Sequence, residues 1–196
     1  MTLPAARGWR PPGPAVAGTL TAALTLWVAA PFLRLDRWVT AFDTVAYSGP
    51  NLVTSLEAMR AGRLPQWNPA IFGGATHVGN PQAAVFEPFL WILRDLSPHR
   101  ALLTIVAIHI GVLAVGMWWL LRHRLALTEW PAALGTAAAV GSGLVMTRSL
   151  QYEQIAVVAW VPLVLVGTDL ALDPAGPRRR LVVFPLALAL LVASGH

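Results

Sequence analysis

Long apolar segments constrain the fold of this 196-residue chain more than any other feature. The first uncharged run extends from Ala15 to Leu33. As a helix it would measure about 28 Å, close to the roughly 30 Å hydrocarbon core of a bilayer. Only 12% of the residues are charged, against roughly 25% in a soluble domain. These observations predict an all-α integral membrane protein.

Four further apolar segments follow the first and predict about five transmembrane helices in total. They cover residues 101–121, 130–147, 155–172 and 181–196. The last segment is still apolar where the sequence stops, so we expect an incomplete fifth span and an N-terminal portion of a longer protein. A cleaved signal peptide is the alternative for the first segment, because Arg7 and Arg10 precede it. Its apolar run is too long for a signal h-region, which favours a spanning helix.

The arginines predict the orientation of these helices, because short cytoplasmic loops carry an excess of basic residues. Seven arginines fall in the segments 1–14, 122–129 and 173–180, whereas the short turn 148–154 contains Arg148 alone. We therefore expect a multi-pass protein of the inner (plasma) membrane with a cytoplasmic N-terminus. The net charge of +5 is explained by this arrangement and does not indicate nucleic-acid binding.

This orientation places a long segment, residues 34–100, outside the cytoplasm, together with the turn 148–154 and the final residues 194–196. The stretch from Leu64 to Phe89 is rich in proline, glycine, amide and aromatic side chains, which predicts an ordered loop rather than a spanning helix. Ahead of it, residues 51–61 have the apolar spacing of an amphipathic helix. That helix lies either along the membrane interface or against the rest of the loop.

Two carboxylates are candidates for catalysis. Asp43 lies a few residues beyond the first span, where partial desolvation would let it accept a proton from a hydroxyl or hold a divalent cation. The alternative is an aspartate that caps a helix or a turn. Glu153, at the head of the fourth span, is the second candidate acid, with a capping or solvent-exposed glutamate as its alternative. Both lie on the outer side in the predicted topology.

The order of several motifs resembles the first outer loop of the YfhO-like bacterial membrane proteins, which are related to the GT-C glycosyltransferases. The matching elements are Asp43, Gly62 to Gly74 (GRLPQWNPAIFGG), Asn80-Pro81-Gln82, Phe86-Glu87-Pro88, Ala159 to Leu163 (AWVPL) and Gly195-His196. The resemblance covers about residues 38–196. It implies an enzyme that moves a sugar from a polyprenyl-phosphate donor to an envelope glycan or lipid acceptor on the outer face. It also implies that Asp43 is the base or a metal-organising acid.

The loop and turns supply candidates for binding such a substrate. Arg63 and Arg148 suit a lipid phosphate, Trp67 suits stacking on a sugar ring, and the outward-facing His196 would join the site. Amide hydrogen bonds to sugar hydroxyls are expected from Asn68, Asn80 and Gln82. The structural alternatives are interfacial anchors for the arginines, a buried loop anchor for the tryptophan, and amides that satisfy buried backbone groups.

Two polar residues within the spans have simpler interpretations. His109 is expected to form an interhelical hydrogen bond, and Asp169 to pair with an arginine of the 178–180 cluster. The mostly apolar interiors of the predicted spans argue against the first rival function, a transporter or flippase for a lipid-linked precursor. A non-catalytic membrane scaffold, whose loop binds a partner, is the second rival.

Overall fold

The computed structural model describes residues 13–34, 36, 42–173 and 181–195. The chain is mostly helical with little sheet. In chain order the helices are α1 Pro14–Leu33, α2 Gly49–Arg60, α3 Pro88–Ile92, α4 Pro98–Trp119, α5 Glu129–Val140, α6 Gly143–Arg148, α7 Tyr152–Leu172 and α8 Val183–Ala193. Two π-helical segments, Thr44–Ser48 and Leu120–Arg124, and a 3₁₀ turn, Pro81–Ala83, complete the helical part.

Three helices in the described part are long and apolar enough to cross a membrane. They are α1, α7, and α4 together with the π-helical segment that extends it to Arg124. The shorter apolar helix α8 packs along α7. This arrangement confirms a helical protein of the membrane class, while five spans and the side of the N-terminus remain predictions.

The predicted third span, 130–147, is not one continuous helix. It is divided into α5 and α6 at Gly141 and Ser142. The Ser142 side chain accepts a hydrogen bond from the Val145 backbone N–H at 3.3 Å, so it caps a new helix rather than continuing the old one. The 12 residues of α5 measure about 18 Å. This length is well short of a bilayer core.

Small residues allow the helices of the bundle to approach closely. A Cβ added to Gly116 of α4 would lie 3.3 Å from Pro162 and Leu163 of α7. A Cβ on Gly167 of α7 would lie 2.7 Å from the Phe184 Cα of α8. Close backbone packing of this kind replaces the hydrophobic driving force that is missing between helices in lipid.

One end of the bundle, which we call the loop end, is where α1 stops, α4 begins, the α6–α7 turn lies and α8 finishes. Long-range hydrogen bonds hold these parts together. Thr44 Oγ1 donates to the Leu150 carbonyl at 2.6 Å, and the Tyr152 hydroxyl donates to the Ala83 carbonyl at 3.2 Å. The segments expected on one side of the membrane therefore do meet in space.

The opposite end of the bundle carries ion pairs that the sequence did not assign. Asp169 pairs with Arg124, at the end of the π-helical segment that follows α4. Its expected partners, residues 178–180, lie outside the described residues. Because α4 and α7 run side by side, the guanidinium of Arg124 comes level with the last turns of α7. Arg122 pairs with Glu129 at 2.7 Å at the same end.

The amphipathic helix α2 packs inward. Its apolar face is buried, with Leu52 and Leu56 fully inaccessible and Met59 nearly so, and it contacts α4 and the 3₁₀ turn. Of the two interpretations, packing against the rest of the loop is therefore the one observed. Beyond α2, the short strands β1 Trp67–Asn68 and β2 Ala75–Thr76 pair antiparallel and order the predicted loop.

Candidate functional site

Asp43 lies at the loop end and contacts the α6–α7 turn. It occupies the residue before the π-helical segment Thr44–Ser48, but its side chain forms no capping hydrogen bond. Its Oδ2 instead accepts from the Gln151 Nε2 at 2.7 Å. Gln151 Oε1 accepts in turn from an Arg148 guanidinium nitrogen at 3.1 Å. The solvent-exposed carboxylate is thus linked through one amide to a cation 105 positions along the chain.

Glu153, the second candidate acid, is 1% exposed, so the solvent-exposed alternative is wrong. Its Oε1 accepts from the Ser48 hydroxyl at 3.1 Å. Its Oε2 is buried and has no hydrogen-bond partner among the described residues. Glu153 and Asp43 are close enough to interact electrostatically. Two carboxylates from distant parts of the chain therefore share one region, one open to solvent and one buried.

Two of the other predicted binding residues lie away from these two carboxylates. Arg63 and Trp67 line an open cavity of about 640 Å³ beside α2, and neither Asp43 nor Glu153 lines it. The indole of Trp67 is 59% exposed, so it is not a buried anchor. His196 lies outside the described residues. The sequence therefore predicted one site where the structure separates an acidic cluster from an aromatic cavity.

The loop amides are used within the loop itself. Asn68 is buried, its Oδ1 accepts from the Ala70 N–H at 2.9 Å, and its Nδ2 lies 3.4 Å from the Asn51 Oδ1. Asn80 accepts from the Gln82 backbone N–H at 3.1 Å and also contacts the Tyr47 hydroxyl. Hydrogen bonds within the loop therefore account for the Asn68 and Asn80 side chains better than sugar binding does. The Gln82 side chain is half-buried at the same turn.

A third polar centre, which sequence reasoning did not assemble, joins the loop to two helices. Glu87 precedes α3 and is fully buried. Its Oε2 accepts from the Ser194 hydroxyl at 2.5 Å, and its Oε1 accepts from the Phe89 N–H at 3.3 Å. The same Oε1 lies 3.7 Å from the Nε2 of His109, which is also fully buried. Burial raises the pKa of Glu87 despite these two hydrogen bonds.

The depth of this centre follows from the position of His109 on α4. His109 is eleven residues beyond the first residue of α4, or about 16 Å along the helix. The loop must therefore enter the bundle to bring Glu87 near it. The Phe89 ring stacks on Trp160 with centroids 6.5 Å apart and meets His109 edge-on at 5.5 Å. The Phe89 ring at the start of α3 is thus inserted between α4 and α7.

Among the described residues, His109 does not form the expected hydrogen bond to another helix. Its Nδ1 lies 2.8 Å from the Ile105 carbonyl of the same helix. The signals for this centre were present in the sequence as Glu87 beside Pro88 and as a lone histidine in an apolar span. Only the folded chain brings them together, because they are separated by the turn into α4.

A divalent cation is supported only in part by the arrangement of ligands. Across the described residues, no three histidine, aspartate or glutamate side chains are grouped as metal ligands. Asp43 and Glu153 offer two carboxylates, and the cation hypothesis stays a prediction. Comparison with protein-family models, with curated proteins and with solved structures finds no match for this chain.

Proposed function

We propose that this chain forms part of a membrane glycosyltransferase that moves a sugar from a polyprenyl-phosphate donor to an envelope glycan or lipid acceptor. The observation that carries the proposal is the hydrogen-bonded series Asp43–Gln151–Arg148 beside the buried Glu153. It supplies an exposed carboxylate and a cation within one cluster at a helix-bundle end. The resemblance of the loop motifs to the YfhO-like proteins supports the same chemistry.

The proposed reaction assigns the base to Asp43. Its carboxylate takes the proton of an acceptor hydroxyl as the hydroxyl oxygen bonds to the anomeric carbon of the sugar. The bond from that carbon to the phosphate oxygen breaks, and its electron pair leaves with the polyprenyl phosphate. Arg148 faces this developing negative charge, for which a guanidinium provides paired N–H donors. Gln151 hydrogen-bonds to both side chains and so fixes the position of the base relative to the cation.

Glu153 is assigned a positioning role in this scheme. It lies next to Gln151 in the chain, and its hydrogen bond to Ser48 ties the head of α7 to the π-helical segment that follows Asp43. Because Ser48 and Asp43 belong to one short segment, this bond limits the motion of the base relative to α7. A well-held base is required for efficient proton transfer, since small displacements in a reacting geometry cost rate steeply.

The test is a transfer assay on membranes that carry the protein expressed from its entire reading frame. The donors are undecaprenyl-phosphate-linked glucose, galactose and mannose with radiolabelled sugars, and the readout is label in envelope glycan or lipid. Asp43→Asn should lower transfer at least about 100-fold, because a general base contributes that much or more. Asp95→Asn is the matched control, since Asp95 is an exposed loop carboxylate outside the cluster.

The outcomes separate the candidate functions. Loss of transfer in Asp43→Asn with normal membrane insertion and an active Asp95→Asn control supports the assignment. Near-normal transfer in Asp43→Asn contradicts it. Binding of donor without turnover by the unaltered protein contradicts the enzyme hypothesis and favours a transporter or a scaffold instead.

A further inference from the structure

A continuous groove runs along the face of α2 that points away from its packed side. The open cavity of about 640 Å³ that contains Trp67 adjoins a second one of about 590 Å³. Thr54, Glu57 and Pro69 line both cavities, so the two form one depression. Asp43, Gln151 and Glu153 do not line either half. The groove is therefore distinct from the residues of the proposed sugar transfer.

One half of the groove has the character of a carbohydrate subsite. The exposed indole of Trp67 forms part of its wall, and Arg63, Gln66 and Glu57 line the same cavity. An aromatic face binds the apolar face of a sugar ring, and the three polar side chains offer both donors and acceptors to hydroxyl groups. Glu57 and Arg63 carry opposite charges, so this half of the groove has no net charge that would attract an anionic ligand such as a phosphate. This end of the groove therefore suits a neutral, polyhydroxylated group.

The indole of Trp67 is held in position by the turn that follows it. A Cβ on Gly74 would lie 2.4 Å from the indole Cζ2 and 3.0 Å from Cε2. Gly74 also has a φ of +121°, a conformation that L side chains rarely adopt. The glycine thus lets the backbone pack against the edge of the ring. A ring fixed in this way is pre-organised for binding, which reduces the entropy lost when a ligand is ordered.

The other half of the groove is apolar and leads to the head of a candidate membrane span. It is lined by Val45 and Val53 on one side and by Leu102 of α4 on the other. Val45 is 63% exposed although it is a large apolar side chain. A groove that is polar at one end and apolar where it meets a spanning helix matches a ligand with the same polarity along its length.

We propose that the α2 groove binds the headgroup and the first part of the chain of a glycolipid, with the sugar on Trp67 and the chain directed towards the start of α4. The neutral character of the polar half favours a glycoside over a phospholipid. The continuity of the two halves favours a lipid-linked sugar over a free one. Asp43, Gln151 and Arg148 do not line this groove, so a lipid phosphate bound by Arg148 would be a separate event.

The experiment uses a photoreactive dodecyl maltoside as the probe, with the full chain held in nanodiscs and crosslinked peptides identified by mass spectrometry. We expect saturable labelling of peptides from α2 and from 63–70. Trp67→Ala should raise the probe concentration that gives half-maximal labelling about tenfold, because an aromatic ring covered by the ligand is the kind of contact that dominates such sites. Gly74→Ala should raise this concentration as well by displacing the indole. Phe72→Ala is the control, since Phe72 is 96% exposed in the same loop but does not line the groove.

Folding of each variant is checked by thermal unfolding, and the loop is checked by limited proteolysis. Dodecyl maltoside should compete for labelling far better than maltose or dodecylphosphocholine. Equal labelling of Trp67→Ala and the unaltered protein, with a folded loop in both, overturns the proposal. Equal competition by dodecylphosphocholine also overturns it, because the sugar would then contribute nothing. If maltose competes as strongly as dodecyl maltoside, the alkyl chain contributes nothing to binding. That result overturns the proposal that the bound sugar is linked to a lipid.

Discussion

Replacing the buried carboxyl of Glu87 by an amide tests how the loop is held inside the bundle. Glu87→Gln keeps one oxygen that accepts from the Phe89 N–H and places an NH2 group where it can donate to the Ser194 hydroxyl, which still donates to the Leu190 carbonyl. The substitution removes the ionisable group. Since burial raises the pKa of Glu87, the folded protein keeps a proton there that the unfolded chain releases. The unaltered protein should therefore lose stability as the pH rises, whereas Glu87→Gln should not lose it at this site.

The sign and size of the effect follow from proton linkage. Below the ordinary carboxyl pKa of about 4.3, both states hold the proton and the two proteins should be equally stable to within about 1 kcal/mol. As the pH rises from there to the raised pKa of the folded state, Glu87→Gln should gain up to about 1.4 kcal/mol per pH unit over the unaltered protein. Above the folded pKa the advantage should become constant. By contrast, Glu87→Ala loses both hydrogen bonds, the carboxyl group and one methylene, which costs about 3 kcal/mol even in acid.

The assay is thermal unfolding in detergent micelles, followed by tryptophan fluorescence at several values between about pH 4 and pH 8. Asp95→Asn is the control, because it also replaces a carboxylate by an amide but at a side chain that is 82% exposed. This pH dependence is expected for a neutral Glu87 beside a neutral His109, whose Nε2 lies 3.7 Å from Oε1. If Glu87→Gln is instead less stable by about 3–5 kcal/mol at neutral pH, the two residues form a buried ion pair and the argument is refuted.

Two glycines provide further tests of how α8 is docked. A Cβ on Gly195 would lie 1.8 Å from the Pro81 carbonyl oxygen, and its φ is +83°, so Gly195→Ala should destabilise the protein by about 2–4 kcal/mol in the same thermal assay. Gly18→Ala is the matched control, because nothing lies within 4 Å of its Cβ position in a helix, and it should be neutral or stabilising by about 0.5–1 kcal/mol. Gly167→Ala, which faces the Phe184 backbone of α8 at 2.7 Å, should cost about 1–3 kcal/mol. An unchanged melting temperature in this variant would show that α8 does not pack on α7 as described.

Much of the helical arrangement could be predicted because apolar length and the chemistry of helix ends act locally. The predicted spans 101–121 and 155–172 correspond to helices that begin at Pro98 and Tyr152. The third predicted span is interrupted for a local reason too. Gly141 and Ser142 are a stop and a cap, and hydropathy averaged over a span conceals them.

The sequence predicted three residues of the candidate site, Asp43, Arg148 and Glu153, but not Gln151, which links two of them. The predicted topology placed Asp43 and the turn 148–154 on the same side of the membrane. In the structure, Asp43 accepts a hydrogen bond from Gln151 of that turn at the loop end. The separation of Trp67 from that cluster was not predictable, because the direction in which α2 and its following loop pack depends on contacts with α4. Motif order along the chain carries no information about which side of a helix a residue faces.

The sequence by itself determined that this chain is a helical membrane protein, because long uncharged segments leave the backbone no other way to satisfy its hydrogen bonds in lipid. It also determined where the polar loop lies between two of these segments. Only the tertiary structure decided that the loop enters the bundle and brings Glu87 against His109 and Ser194. Glu87 lies more than twenty positions from His109 and more than a hundred from Ser194. These contacts depend on how the helices pack, which local sequence patterns do not encode.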